Sequence, residues 1–139
     1  VYCINLNIKN DLNELQRISE ALTQLAQMRN FPESLIYDIN LAIDELVTNI
    51  INYGFTDNRE HIIEVCLEED DMFLITNIKD DGIAFNPLEN PDPDTSILLE
   101  DKPIGGLGIY FVRKKIDHIS YRRENNFNIL TLKKKKQFN

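Results

Sequence analysis

The run 32-PESLIYDINLAIDELVTNIINYGF-55 constrains the chain more than any other stretch. Pro32 suits a first helical turn and Gly54 a helix exit, so the spacing predicts one helix of more than five turns, the longest element of the chain. At about 100° per residue, Ile39, Ala42, Ile43, Leu46, Val47 and Ile50 share one broad apolar face. Such a face has to be covered by a second layer. Asp38, Glu45, Asn49 and Asn52 fall on a narrow polar stripe about a third of a turn or more away.

The remaining pattern supplies that layer. Residues 2-YCINLNI-8 alternate apolar and polar, as a half-buried strand does. Asp11 with Glu14 reads as a capping box opening a helix over 11–28, carried by Leu12, Leu15, Ile18, Leu22, Leu25 and Ala26. Two strand-like runs, 61-HIIEVCL-67 and 72-MFLITNI-78, are joined by the acidic tip Glu68 to Asp71, read as a solvated hairpin turn. Residues 80–104 hold Gly82, four of the five prolines and little periodicity, which marks a functional loop or lid. A helix over 106–116 and a closing hairpin, 117-DHISYRRE-124 with 127-FNILTLKK-134, complete the order β-α-α-β-β-lid-α-β-β. The expected fold is α+β, a two-layer α/β sandwich with a mixed, mostly antiparallel sheet and helices on one face, in a single domain over 1–139.

A formal charge of -8 in 139 residues disfavours nucleic acid and anionic membranes as partners. The basic run Lys133 to Lys136 reads as a solvated tail or strand end. Cys3 and Cys66 lack metal-ligand spacing and read as buried free thiols. No stretch approaches the roughly 20 apolar residues of a membrane span, so a cytoplasmic location is expected. Because the chain opens on Val1, a few native residues are expected ahead of it.

Three patches carry possible chemistry. Glu45 and Asn49, four apart, are neighbours on the polar stripe, where oxygen donors could serve a hard cation and a proton-accepting role together. The plain alternative is the wet side of an amphipathic helix, although two asparagines in mid-helix lower its intrinsic stability. In 80-DDGIAFNP-87 a carboxylate at a strand end could accept from an exocyclic amine while glycine lets the backbone turn around a flat ring; Asp-x-Gly is also a common turn. In 105-GGLGIYFVRK-114, glycines at a helix start could bring backbone N–H groups to an anion, but neither the Walker sequence nor GxGxxG is present.

Together, in this order and at these intervals, the patches resemble the GHKL (Bergerat-fold) ATP-binding superfamily, and within it the anti-sigma factor serine/threonine kinases of the RsbW type, over nearly the whole chain. The N box, E-x-x-x-N, reads 45-ELVTNIINYGF-55; the G1 box, D-x-G-x-x-F-x-P, reads 80-DDGIAFNP-87; the G2 box reads 105-GGLGIYFVRK-114. The resemblance implies that Asn49 binds Mg²⁺ and through it ATP or ADP, and that Glu45 orients or deprotonates the attacking hydroxyl. Asp80 would read the adenine amino group, with Gly82 giving the ring room and Ala84 standing where the wider pattern often has Gly. Gly105, Gly106, Leu107 and Gly108 would line the phosphates, and residues 88–104 would close as an ATP lid. It implies phosphorylation of a STAS-domain anti-sigma factor antagonist, control of a sigma factor, and a homodimer.

Some positions depart from the family pattern. Tyr53 stands where many relatives have His, Ile104 where some carry a phosphate-facing Arg, Phe127 where a glycine often opens the last strand, and Asn128 near the place of an adenine-side Thr. Retention of Glu45 favours a kinase. The missing Arg and the acid-rich lid (Glu89, Asp92, Asp94, Glu100, Asp101) favour a nucleotide-gated binding module. A detached histidine-kinase ATPase domain shares the fold but fits the short lid and the F-x-P ending less well.

Overall fold

The structure, a computed structural model, describes residues 3–89 and 106–137. Strand β1 (Cys3–Lys9) leads through a 3₁₀ turn into α1 (Leu15–Arg29) and α2 (Glu33–Tyr53). Strands β2 (Ile62–Glu69) and β3 (Phe73–Asp80) follow, then α3 (Gly106–Lys115), β4 (His118–Glu124) and β5 (Phe127–Lys135). The expected order of strands and α-helices holds among the described residues. The sheet runs β1-β2-β3-β5-β4, and every pairing in it is antiparallel rather than mixed. The physical reason is the place of β5: β3 and β4 run in the same direction, but β5 inserts between them and pairs antiparallel with both.

Alternation divides the sheet into two faces. Ile8, Ile63, Val65, Leu67, Leu74, Ile78, Leu130 and Leu132 are buried on the inner one. Over them lie Ile18, Leu22 and Leu25 of α1, the predicted apolar face of α2, and Ile109 and Val112 of α3. α2 is the middle helix, packed against both α1 and α3.

The helix ends differ in detail from the sequence reading. The Asp11 side chain accepts from Asn13 N (2.9 Å) and starts the 3₁₀ turn Leu12–Glu14, while Glu14 Oε1 accepts from Lys9 N (2.9 Å) instead of closing a capping box. Asn30, left-handed at φ 57°, ends α1. Pro32 is the N-cap of α2, one residue before its first turn. Asn125 and Asn126, at φ 52° and 68°, make the tight β4–β5 turn.

The acidic hairpin tip is not wholly solvated. Glu69 ends β2 on the inner face, 8% exposed, and pairs with Arg29 Nε (2.5 Å) at the end of α1 and Lys136 Nζ (3.2 Å) beyond β5. The basic run is likewise engaged: Lys134 Nζ donates to Lys115 O (2.5 Å) and lies 3.7 Å from Asp38. Cys66 sits half-buried on the outer face rather than in the core.

Burial works to raise the Glu69 carboxyl, but hydrogen bonds and charge from Arg29 and Lys136 outweigh it and leave the group below the ordinary carboxylate range. Its stabilisation is therefore present above the unfolded carboxylate range and is lost as pH falls toward the folded value. Glu69→Gln should lower stability by about 2–3 kcal/mol, the partial exposure of Arg29 keeping the loss below that of a fully buried pair. Urea unfolding at neutral pH measures it, and the gap between parent and variant should close in acid.

Candidate functional site

α2 carries the site along one side. Asp80, the last residue of β3, is on the inner face and 3% exposed. Its Oδ1 accepts from Gly82 N (2.8 Å) and from Asn128 Nδ2 (3.0 Å). Burial pushes the carboxyl up, opposed by those two hydrogen bonds. The ionised form thus costs stability in the folded chain, a cost that a donor placed against the carboxylate would offset.

Asn128 is the hub beneath this turn. Its Nδ2 also donates to Ile83 O (2.7 Å), while its Oδ1 accepts from Tyr121 Oη (2.5 Å) and Arg123 Nη1 (3.0 Å). Arg123 Nη1 further donates to Gly82 O (3.1 Å). β4 and β5 therefore fix the 80–85 turn from below. From above, the C-terminal end of α2 touches it: Ile83 N donates to Gly54 O at 2.8 Å. Gly82 is required by that approach, because a Cβ there would stand 2.2 Å from the Gly54 carbonyl oxygen.

Leu46, Ile50, Ile83, Phe85, Pro87 and Leu130 wall a pocket whose polar floor is Asp80 and Asn128. Its space is about 10 Å³, room for a single water. A flat ring does not fit that space as it stands; of the walls, Ile83 is exposed and Phe85 half-buried. Ala84 is exposed and does not line this pocket.

Two turns back along α2, Glu45 and Asn49 are both half-buried. Glu45 packs against the first turn of α3: a Cβ on Gly108 would lie 1.9 Å from Glu45 Oε1 and 2.6 Å from Cγ. Glycine at 108 is what admits the carboxylate there. A cleft of about 150 Å³ continues outward between α2 and α3, lined by Asp38, Leu41, Ala42, Phe111, Val112 and Lys115 beside Glu45 and Gly108. Gly106 and Leu107 open α3. Gly105, Ile104 and all but the first two residues of the expected lid lie outside the described residues. Those two, Leu88 and Glu89, belong to a 3₁₀ turn at Pro87–Glu89, and Arg113 of α3 donates to Leu88 O.

The structure thus groups Asp80 with Gly82 and Glu45 with Gly108, at two stations on α2 set about 13 Å apart by the helical rise from Glu45 to Gly54. Sequence motifs did not single out Tyr121 or Arg123. The only signal was phase: Tyr121 and Arg123 alternate with Ile119 along β4, although Arg123 itself is exposed.

A family model for the histidine kinase-like ATPase domain matches residues 8–134. The chain belongs to that family. Membership of this GHKL-type family implies a nucleotide-binding site. The chain is 28% identical over 111 residues to the serine/threonine-protein kinase BtrW of Bordetella bronchiseptica, covering 80% of this chain and 78% of that protein. It is 26% identical over 101 residues to the anti-sigma F factor of Clostridium acetobutylicum, with 73% and 70% covered. With the serine-protein kinase RsbW of Oceanobacillus iheyensis it shares 23% over 117 residues, 81% and 73% covered.

Solved structures agree on the ATPase-domain fold. The RsbU and RsbW domains of a Mycobacterium tuberculosis protein match at TM-score 0.70 and 14% identity, over 99% of this chain and 33% of that one. The catalytic domain of the histidine kinase ThkA matches at TM-score 0.55 and 18% identity, with both chains fully covered at 100%. Among the described residues no helix is long and apolar enough to cross a membrane.

Proposed function

We propose that this ATPase-family domain is an ATP-dependent anti-sigma factor serine/threonine kinase, which phosphorylates a STAS-domain antagonist in a cytoplasmic partner-switching system. The observation that carries the reading is Glu45, a carboxylate seated against Gly108 at the start of α3 and one turn from Asn49. Nucleotide binding alone has no use for a proton acceptor at that place. The names of the relatives support the same assignment.

In this reading Asp80 accepts from the adenine amino group, Asn128 holds Asp80 in position, and Gly82 leaves the ring room. Gly105, Gly106, Leu107 and Gly108 bring backbone N–H groups to the phosphates at the α3 N-terminus. The side-chain oxygen of Asn49, a turn from Glu45, fits a hard cation that keeps most of its waters. Mg²⁺, when bound, neutralises phosphate charge. Glu45 takes the proton of the acceptor hydroxyl as its oxygen bonds to the γ-phosphorus and the bond to the departing ADP oxygen breaks. Residues 88–104 are assigned the role of lid, and a homodimer is the expected assembly.

The nucleotide-gated module remains the second reading, favoured by Ile104 where a phosphate-facing Arg is found in some relatives. One experiment separates them: transfer of labelled γ-phosphate from ATP and Mg²⁺ to a STAS-domain protein of the same cell, with binding followed in parallel. Stable serine or threonine phosphate on the antagonist supports the kinase. Binding without transfer supports the module. Asn49→Ala should abolish Mg²⁺-dependent ATP binding, and undiminished binding would remove Asn49 from the metal site.

A further inference from the structure

We propose that His61 is a positioning residue for the base-recognition turn, clasping the loop after α2 to the segment that carries Asp80, and that its protonation state tunes nucleotide affinity. The proposal rests on the nucleotide-binding reading above. His61 Nε2 lies 2.6 Å from Asp57 Oδ1, in the loop after α2, and Nδ1 lies 3.0 Å from Asp81 Oδ1, in the turn after β3. The imidazole stacks on Phe55 with centroids 4.3 Å apart and planes 14° apart. Its side chain is 16% exposed. The backbone of His61 is pinned as well, its N–H donating to Asn10 Oδ1 (3.0 Å) and its carbonyl accepting from Asn10 N (3.1 Å).

Two carboxylates facing two ring nitrogens leave one satisfactory proton arrangement. Ionised carboxylates only accept, and a neutral imidazole has one N–H, so the second nitrogen would present a lone pair to an anion. Imidazolium satisfies both sides. The clasp joins the same two segments as the Gly54 O to Ile83 N bond, from the other side of Gly82. Losing it frees Asp81, the neighbour of Asp80, from the end of α2.

The remaining charges do not replace the proton. Arg59 donates its backbone N–H to Asp57 Oδ1 (3.1 Å) and its charge bears on Asp57, while Glu60 of the same loop pairs with Lys9 of β1 (3.5 Å). Asn10 meets His61 through backbone atoms of the histidine. Hydrogen bonding to Asp57 pushes His61 up, burial opposes it, and Asp81 adds to the rise. With a raised folded value, the clasp is complete below the ordinary histidine range and is lost as pH climbs through the folded value.

The test uses the full chain with ADP and Mg²⁺ as probe, in one buffer series from pH 6 to pH 9. Asp81→Asn and His61→Phe are measured beside the parent, so that titration of the phosphates cancels. The parent's affinity should fall by about tenfold relative to Asp81→Asn across the His61 titration. Over the same interval, Ile83 amide exchange should rise beyond its intrinsic pH dependence in the parent alone. His61→Phe keeps a ring on Phe55 and should show in both readouts only the background pH dependence shared with Asp81→Asn; Asp81→Asn serves if that variant does not fold. Equal pH slopes in parent and Asp81→Asn, or Ile83 protection indifferent to His61 titration, would overturn the proposal. Absence of ADP binding at every pH would overturn the nucleotide reading beneath it, and Ile83 exchange would then still decide whether the clasp operates.

Discussion

Glu45→Gln should bind ATP as the parent does and transfer its γ-phosphate about 10²–10⁴-fold more slowly, the usual range for loss of a positioned proton acceptor. Glutamine keeps the length and volume of the side chain, so the contact with Gly108 survives and what is lost is the ability to take a proton. Gly108→Ala approaches the same group from the other helix. Its Cβ would fall 1.9 Å from Glu45 Oε1 and 2.6 Å from Cγ, so the whole Glu45 side chain has to turn about χ1, a movement that leaves the backbone in place. Stability should therefore change little, because alanine's better helix propensity offsets part of the crowding. Phosphotransfer should still fall by about 10²-fold through misplacement of the carboxylate. Single-turnover transfer, measured with nucleotide binding and thermal unfolding, checks all three statements. Transfer by Glu45→Gln at the parent's rate would remove Glu45 from the chemistry and leave the binding module as the better reading.

The features legible in the sequence are those written in a local period. Strand-like patterning placed all five strands to within a residue or two, and the apolar stripe of α2 named six of its seven buried residues, missing Leu35 in the first turn. The motif residues Asp80 and Gly82 were legible because they are adjacent in the chain and share a turn. What could not be read depends on pairings across long sequence intervals. Glu69 looked like part of a wet acidic tip, since its partners Arg29 and Lys136 lie 40 and 67 positions away. The Asn128 hub draws on Asp80, Ile83, Tyr121 and Arg123, from two hairpins that only the sheet order β3-β5-β4 brings together. The antiparallel placement of β5 between β3 and β4 has the same origin: strand character is local, whereas sheet order is decided by the whole core. His61 carried no motif because its two carboxylates come from separate loops, Asp57 four residues before it and Asp81 twenty after.

Gly82→Ala should weaken nucleotide binding by about 10–100-fold and cost about 1–3 kcal/mol of stability. Here the obstacle is backbone and cannot swing away. The added Cβ would sit 2.2 Å from the Gly54 carbonyl oxygen, which is held by the Ile83 N–H, and 2.9 Å from Asp80 Oδ1. Relief requires that the turn withdraw from the end of α2, breaking the Gly54 to Ile83 bond, or that Asp80 rotate off the Gly82 N–H. Either movement displaces the carboxylate assigned to the adenine amino group, so affinity should fall by the worth of one charge-assisted hydrogen bond. Ala84→Ser, two residues on at an exposed position outside the pocket, is the control and should change stability by no more than about 0.5 kcal/mol. Calorimetric titration with ADP and urea unfolding of the two variants give the comparison. Parent-like affinity in Gly82→Ala would mean that the turn tolerates withdrawal from α2, and that Asp80 is held in place by Asn128 and the strands below rather than by the helix above.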